Sequence, residues 1–183
     1  MASKFKVIIL DRDGVINEDS KEFIKSPEEW KAISGSLEAI AKLNKANIKV
    51  VVASNQSGVA RGYFSLDTLA KIHEKMQREL AKVGGHLDGI FFCPHGPDSN
   101  CSCRKPKPSL LLDIAKSFNV DPEEMLAIGD SLRDVLAAKA AGCPVWIVKT
   151  GNGIYTLSLA EQELDGIPVF ADLESAVDEL LKK

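Results

Sequence analysis

The apolar run Lys6-Val7-Ile8-Ile9-Leu10 stops abruptly at Asp11-Arg12-Asp13-Gly14-Val15. A run this short and this rich in β-branched residues reads as a strand buried on both faces, as in a parallel sheet. Open α/β sheets bind their ligands just beyond the carboxyl ends of such strands. The chain therefore delivers two carboxylates to a place where ligands bind. Side chains two residues apart on extended backbone point the same way, so one carboxylate can attack while the other handles a proton. Gly14 lets the backbone turn sharply or approach a ligand closely.

The pattern of strand then helix repeats along the chain. Leu37–Asn47 has helical spacing, with Ser36 as its N-cap. Ile48–Ala53 is a second strand. Ser65 caps a long helix carrying Leu66, Leu69, Ile72, Met76, Leu80 and Val83, and Gly84-Gly85 ends it. Gly89–Cys93 is a third strand and Ser109–Phe118 a helix. Asp121-Pro122-Glu123-Glu124 is a helix-start signature. Leu126–Ile128 is strand four, Arg133–Ala141 a helix closed by Gly142, and Val145–Lys149 strand five. Val169-Phe170 is a last short strand, followed by a helix from Asp172. This alternation predicts an α/β fold, a doubly wound, mostly parallel sheet with helices on both faces. The 183 residues suit one domain over 1–183. No large insertion separates the motifs, so no large cap domain is expected.

A formal net charge of -3 offers no basic excess for phosphate backbones, which argues against nucleic-acid binding. No apolar run approaches the ~18 residues of a membrane span, and Met1-Ala2-Ser3-Lys4 has no signal-peptide pattern. The expectation is a cytoplasmic monomer that acts on a small molecule, without nucleic-acid or membrane partners.

Each strand end carries its own polar chemistry. The first ends in Asp11 and Asp13, the second in Ser54-Asn55-Gln56-Ser57-Gly58, and the fourth in Gly129-Asp130 with Asp134 four residues on. Arg104-Lys105-Pro106 adds two cations just before a helix. Taken singly, each is an ordinary turn or cap. Converged, the carboxylates suit Mg²⁺, which prefers oxygen and takes few protein ligands. The cation and the small donors suit phosphate oxygens. That set describes phosphoryl transfer through an aspartyl-phosphate.

Cys93-Pro94-His95 and Cys101-Ser102-Cys103 lie within eleven residues. Three cysteines and a histidine in a polar loop have no core to fill, and Cys₃His is a structural zinc set. A Cys101–Cys103 disulfide is disfavoured by its short ring and by the compartment. Such a closed site would anchor the loop that presents Arg104 and Lys105. Cys143 reads as a small buried hydrophobe. His73 reads as structural or exposed and His86 as a loop residue. Trp30 either packs under the loop after strand one or closes over substrate. Arg61 is either a surface charge or a substrate contact.

The ordered set Asp11–Asn17, Ser54–Gly58, Lys105-Pro106-Lys107-Pro108 and Gly129-Asp130 with Asp134 resembles the haloacid-dehalogenase superfamily phosphatases. The resemblance implies a Rossmann-like fold of that type, with Asp11 as nucleophile and Asp13 as general acid and then base. It also implies that Ser54 and Lys105 bind the transferring phosphoryl group. Asp11, the Asp13 backbone carbonyl and Asp130 would hold Mg²⁺. The cysteine loop is similar to that of a zinc-loop subgroup whose members act on heptose bisphosphates or on histidinol phosphate. There Cys93, His95, Cys101 and Cys103 hold zinc. Ser54–Gly62 and Lys149-Thr150-Gly151 resemble the heptose branch, which implies removal of the 7-phosphate of a heptose 1,7-bisphosphate on the route to nucleotide-activated heptose of lipopolysaccharide. On that branch Asp19, Ser20, Lys21, Glu22, Asn55, Gln56, Ser57, Arg104 and Ser131 border the substrate. Ser131 stands where some members have lysine. The short loop from His95 to Cys101 is histidinol-phosphatase-like and keeps that alternative open. A noncatalytic zinc-loop module is the alternative of another class, and the intact Asp11, Asp13, Lys105 and Asp130 argue against it.

Overall fold

The computed structural model describes residues 4–182; Met1-Ala2-Ser3 of the leader reading lies outside them. Strands β1 (Val7–Leu10), β2 (Lys49–Asn55), β3 (Gly89–Cys93), β4 (Met125–Gly129), β5 (Val145–Val148) and β6 (Val169–Phe170) form one sheet. Its order is β3-β2-β1-β4-β5-β6, and every pair is parallel. Helices α1 (Ser36–Lys45), α2 (Leu66–Lys82), α3 (Ser109–Phe118), α4 (Leu132–Ala141), α5 (Gly153–Leu159) and α6 (Leu173–Leu181) complete the fold. The doubly wound α/β expectation holds, without a large cap.

Alternation along each strand feeds two cores. Ile8, Leu10, Val50, Val52, Leu126 and Ile128 pack beneath α1, α2 and α6. Val7, Ile9, Val51, Ala53, Met125 and Ala127 pack beneath α3 and α4 on the other face. Because β1 lies between β2 and β4, the chain winds in opposite directions from it. The crevice at that switch point is where such sheets bind ligands. Leu10 lies level with Val52 and Ile128, so Asp11 emerges between the ends of β2 and β4.

Several local expectations shift. Ser36 is not the cap of α1 but its first residue; Gly35 caps it at φ 81, and the Ser36 hydroxyl donates instead to Val15 O at 2.8 Å. That bond ties the loop after β1 to the helix. Strand β2 runs on to Asn55 because Ser54 and Asn55 still pair with Phe92 and Cys93. Asp121–Glu124 keeps its capping box but yields a single 3₁₀ turn, since β4 begins directly at Met125. Helix α5 was not legible: Ile154, Tyr155 and Leu159 are exposed, so no apolar stripe marks it. Among the described residues, no helix is long and apolar enough to cross a membrane.

Candidate active site

A cleft of about 340 Å³ opens at the carboxyl ends of β1, β2 and β4. Of the residues expected there, Asp11, Asp13, Asp19, Ser20, Lys21, Asn55, Gln56, Ser57 and Arg104 line it. Ser54, Lys105 and Asp130 are buried behind them. Glu22 is exposed and outside the lining. Ser131 is also outside it: its hydroxyl donates to Asp134 Oδ2 at 2.6 Å, because it caps α4. Arg61 does line the cleft, whereas Trp30 is buried in the core beneath α1.

Lys105 is 3% exposed, and its ammonium is fully engaged. Nζ meets Asp134 Oδ1 at 2.7 Å, Asp11 Oδ1 at 3.2 Å and Ala53 O at 2.6 Å. Burial lowers its pKa, but Asp11 and Asp134 outweigh it, so the pKa is raised and the charge stays. Asn55 clamps the Lys105 backbone, accepting from its N–H at 3.0 Å and donating to its carbonyl at 3.0 Å. Asn55 thus aims the cation as well as lining the cleft.

Asp13 Oδ1 accepts from Arg12 Nη2 at 2.8 Å and Asn17 Nδ2 at 2.9 Å, and Oδ2 accepts from Gln56 Nε2 at 2.8 Å. Burial raises its pKa, but Arg12, Asn17 and Gln56 hold it below the usual value. With the side chain so occupied, the backbone carbonyl is what Asp13 has left for a cation.

Asp130 is different. Its Oδ2 accepts from Asn152 N at 2.7 Å, while its buried Oδ1 has no hydrogen-bond partner. Burial, then Asp11 and Asp134, push its pKa up to about 8. Burial likewise outweighs Lys105 at Asp11, whose pKa rises to about 6. Carboxylate oxygens of Asp11, Asp130 and Asp134 lie within 4.8 Å of one another. Both Asp134 oxygens already serve Lys105 and Ser131. An oxygen-seeking divalent cation at Asp11 and Asp130 fits the orphaned Oδ1 and the crowding of acids. Gly14 is required here: at φ 83 it brings backbone so close that a Cβ would run into the Asp130 carboxylate.

The cysteine loop forms a second cluster. Cys93 Sγ lies 2.9 Å from Cys103 Sγ and 3.6 Å from Cys101 Sγ. His95 Nδ1 lies 3.5 Å from Cys93 Sγ and 3.2 Å from Cys103 Sγ. All four cysteines are free, and Cys143 is buried as expected. A tetrahedral ion bound at about 2.3 Å would separate sulfurs by about 3.8 Å; the Cys93–Cys101 separation of 3.6 Å is near that, and the Cys93–Cys103 separation of 2.9 Å is shorter. The loop is tied to β2 by Gln56 N donating to Cys93 O at 2.7 Å. Arg104 Nη1 donates to His95 O at 3.3 Å.

A model of the haloacid dehalogenase-like hydrolases matches residues 9–142. The chain belongs to that family. It is 53% identical over 178 residues to the D-glycero-β-D-manno-heptose-1,7-bisphosphate 7-phosphatase of Bordetella bronchiseptica, covering 97% of this chain and 99% of the relative. The Pseudomonas aeruginosa enzyme of the same name is 46% identical, with 96% and 98% covered. The crystal structure of D,D-heptose 1,7-bisphosphate phosphatase from B. bronchiseptica, complexed with magnesium and phosphate, superposes with a TM-score of 0.94. It is 54% identical over 97% of this chain and 98% of that one. The Burkholderia thailandensis counterpart has a TM-score of 0.75 at 42% identity, with 97% and 99% covered.

Three groups in or behind the cleft of this hydrolase were not legible as site residues. Arg12 is fully buried beneath Asp13. Asn152 bridges Asp130 to Asp19, donating from Nδ2 to Asp19 Oδ2 at 2.7 Å. Arg133, in the first turn of α4, lines the cleft. The position of Arg133 beside Asp130 was the available signal for it; the other two depend on loop closure.

Without a cation, the raised pKa of Asp130 makes stability pH-dependent. The folded chain keeps this proton up to about pH 8, while the unfolded chain has lost it near 3.8. Stability therefore falls as pH rises between these values. His73, lowered to about 4, opposes this up to its ordinary 6.5. Comparison with Asp130→Asn removes that contribution. In magnesium-free buffer the Tm of the variant should gain on the wild type from pH 6.5 to pH 8. A variant Tm that stays constant relative to the wild type, or falls behind it, over that range would show that Asp130 is already ionised in the folded protein.

Proposed function

We propose that this chain is a Mg²⁺-dependent phosphatase that removes the 7-phosphate of a D-glycero-D-manno-heptose 1,7-bisphosphate, on the route to nucleotide-activated heptose. The observation that carries the reading is Asp11. It is a buried carboxylate at the cleft floor with Lys105 Nζ at 3.2 Å, in a chain 53% identical to an enzyme named for that reaction.

An Asp11 carboxylate oxygen attacks phosphorus, and the bond from phosphorus to the sugar oxygen breaks. Asp13 gives its proton to the departing sugar oxygen, then takes one from the water that cleaves the aspartyl-phosphate and frees Asp11. Asp13 rests ionised, and the nearby substrate dianion raises its affinity for the proton it must carry. Lys105, fixed by Asp134 and Asn55, balances charge on the phosphoryl oxygens. Asp11, Asp130 and the Asp13 carbonyl would hold Mg²⁺, which supplies positive charge to the transferring group. Ser54 and Gln56 complete the floor.

A bisphosphate carries a second dianion, and the cleft has cations for it. Arg61, Arg104 and Arg133 all line it. Arg133 compensates for Ser131, whose side chain is committed to Asp134. Cys93, His95, Cys101 and Cys103 would hold zinc, which would fix the loop leading into Arg104 and Lys105.

Asp11→Asn, nearly isosteric but a poor nucleophile, should abolish turnover while leaving the fold unchanged. On a panel of esters the wild type should show its highest kcat/KM for heptose 1,7-bisphosphate and far lower values for histidinol phosphate. Wild-type kcat in Asp11→Asn would exclude the covalent mechanism. A preference for histidinol phosphate would move the chain to the other branch and leave the mechanism intact.

Elemental analysis of protein purified without added metal should find about one zinc per chain. Cys101→Ala should lose that zinc and lower activity through the loop. Fully active, zinc-free protein would contradict the metal assignment.

A further inference from the structure

The Arg12 guanidinium is fully buried. It spends two of its nitrogens on Asp13: Nε on Oδ1 at 3.1 Å, and Nη2 on Oδ1 at 2.8 Å and Oδ2 at 3.1 Å. The third, Nη1, faces His73 Nε2 at 3.4 Å. Arginine only donates, so Nε2 is the acceptor and the imidazole proton sits on Nδ1. His73 comes from the middle of α2, is 7% exposed, and sets its ring edge-on to Phe92 with centroids 5.8 Å apart. Burial, then Arg12, lowers its pKa to about 4 against the pull of Asp13, so it stays a neutral acceptor near neutral pH.

We propose that His73 is a positioning residue: through Arg12 it fixes the direction in which Asp13 presents its proton to the leaving alcohol. The inference rests on the phosphatase reading above. Asp13 Oδ1 is anchored by Arg12 and Asn17. Its Oδ2, held by Gln56 at 2.8 Å and by Arg12 Nη2 at 3.1 Å, has one donor fewer than Oδ1 and is the oxygen to which we assign the proton. As the Asp11 oxygen bonds to phosphorus and the ester bond breaks, that proton passes from Oδ2 to the departing oxygen. Without His73 the buried Nη1 loses its acceptor, which a buried polar group does not tolerate cheaply. The guanidinium then turns toward another acceptor and takes Asp13 with it. A shift of about 1 Å at a reacting group can cost on the order of 10²-fold.

The leaving group separates this role from plain packing. A sugar alkoxide needs the proton, whereas p-nitrophenolate departs without it. kcat/KM reports the steps through alcohol departure. We would measure it on the full-length, Mg²⁺-loaded protein with p-nitrophenyl phosphate and with the sugar phosphate that the wild type turns over best. His73→Leu should lower the sugar-phosphate value roughly 10- to 100-fold, toward the loss of general-acid help, and the aryl value by less than about threefold. His73→Gln, whose side-chain oxygen can accept from Nη1, should restore the sugar-phosphate value to within about threefold of wild type. Equal losses on both esters, no loss on either, or a Gln variant no better than Leu would overturn the inference. A wild type that hydrolyses neither ester would overturn the phosphatase reading, and this inference with it.

Discussion

Buried charge at the ends of β1 and β4 dictates the rest of the structure. Asp11, Asp130 and Asp134 are buried and Asp13 nearly so, against two buried cations among the described residues, Arg12 and Lys105. Burying unpaired charge is among the costliest things a fold can do. Every nearby polar group is enlisted to lower that cost. Asn17 and Gln56 serve Asp13, Ser131 serves Asp134, and Asn152 serves Asp130. With all four carboxylates ionised, two negative charges remain over among these groups, the charge of one divalent cation, and the orphaned Asp130 oxygen marks where it is wanted.

The fold keeps this imbalance from relaxing. Thr150 Oγ1 donates to Gly14 O at 2.6 Å and Thr156 Oγ1 to Asp130 O at 2.9 Å, so the segment after β5 is latched onto the ends of β1 and β4. On the other side Asn55 grips Lys105 from both ends of its peptide, and the Cys/His cluster roots the loop that leads into it. Lys105 lies fifty residues from Asn55 in sequence. The buried ion pairs thus hold geometry more than they add stability.

What the sequence revealed follows from chemistry that can be read locally. Asp11, Asp13 and Asp130 stand directly after apolar runs, and strand ends of a parallel sheet have one fate. Cys93, His95, Cys101 and Cys103 are close in the chain and share ligand chemistry. The rest depends on contacts between distant segments. Nothing in Asp11-Arg12-Asp13 says that the arginine will fold under its neighbour and meet a histidine 61 residues on. Ser131 looked like a substrate contact until the first turn of α4 claimed its hydroxyl. Helix α5 escaped because its apolar residues face outward, the reverse of the signal that periodicity reads.

One divalent cation held by Asp11 and Asp130 would balance the ionised carboxylates of the cleft. Calorimetric titration of the metal-depleted full-length protein with Mg²⁺ should show saturable binding of about one Mg²⁺ per chain, lost in Asp130→Asn. No binding at millimolar Mg²⁺, or unchanged binding in Asp130→Asn, would contradict this assignment.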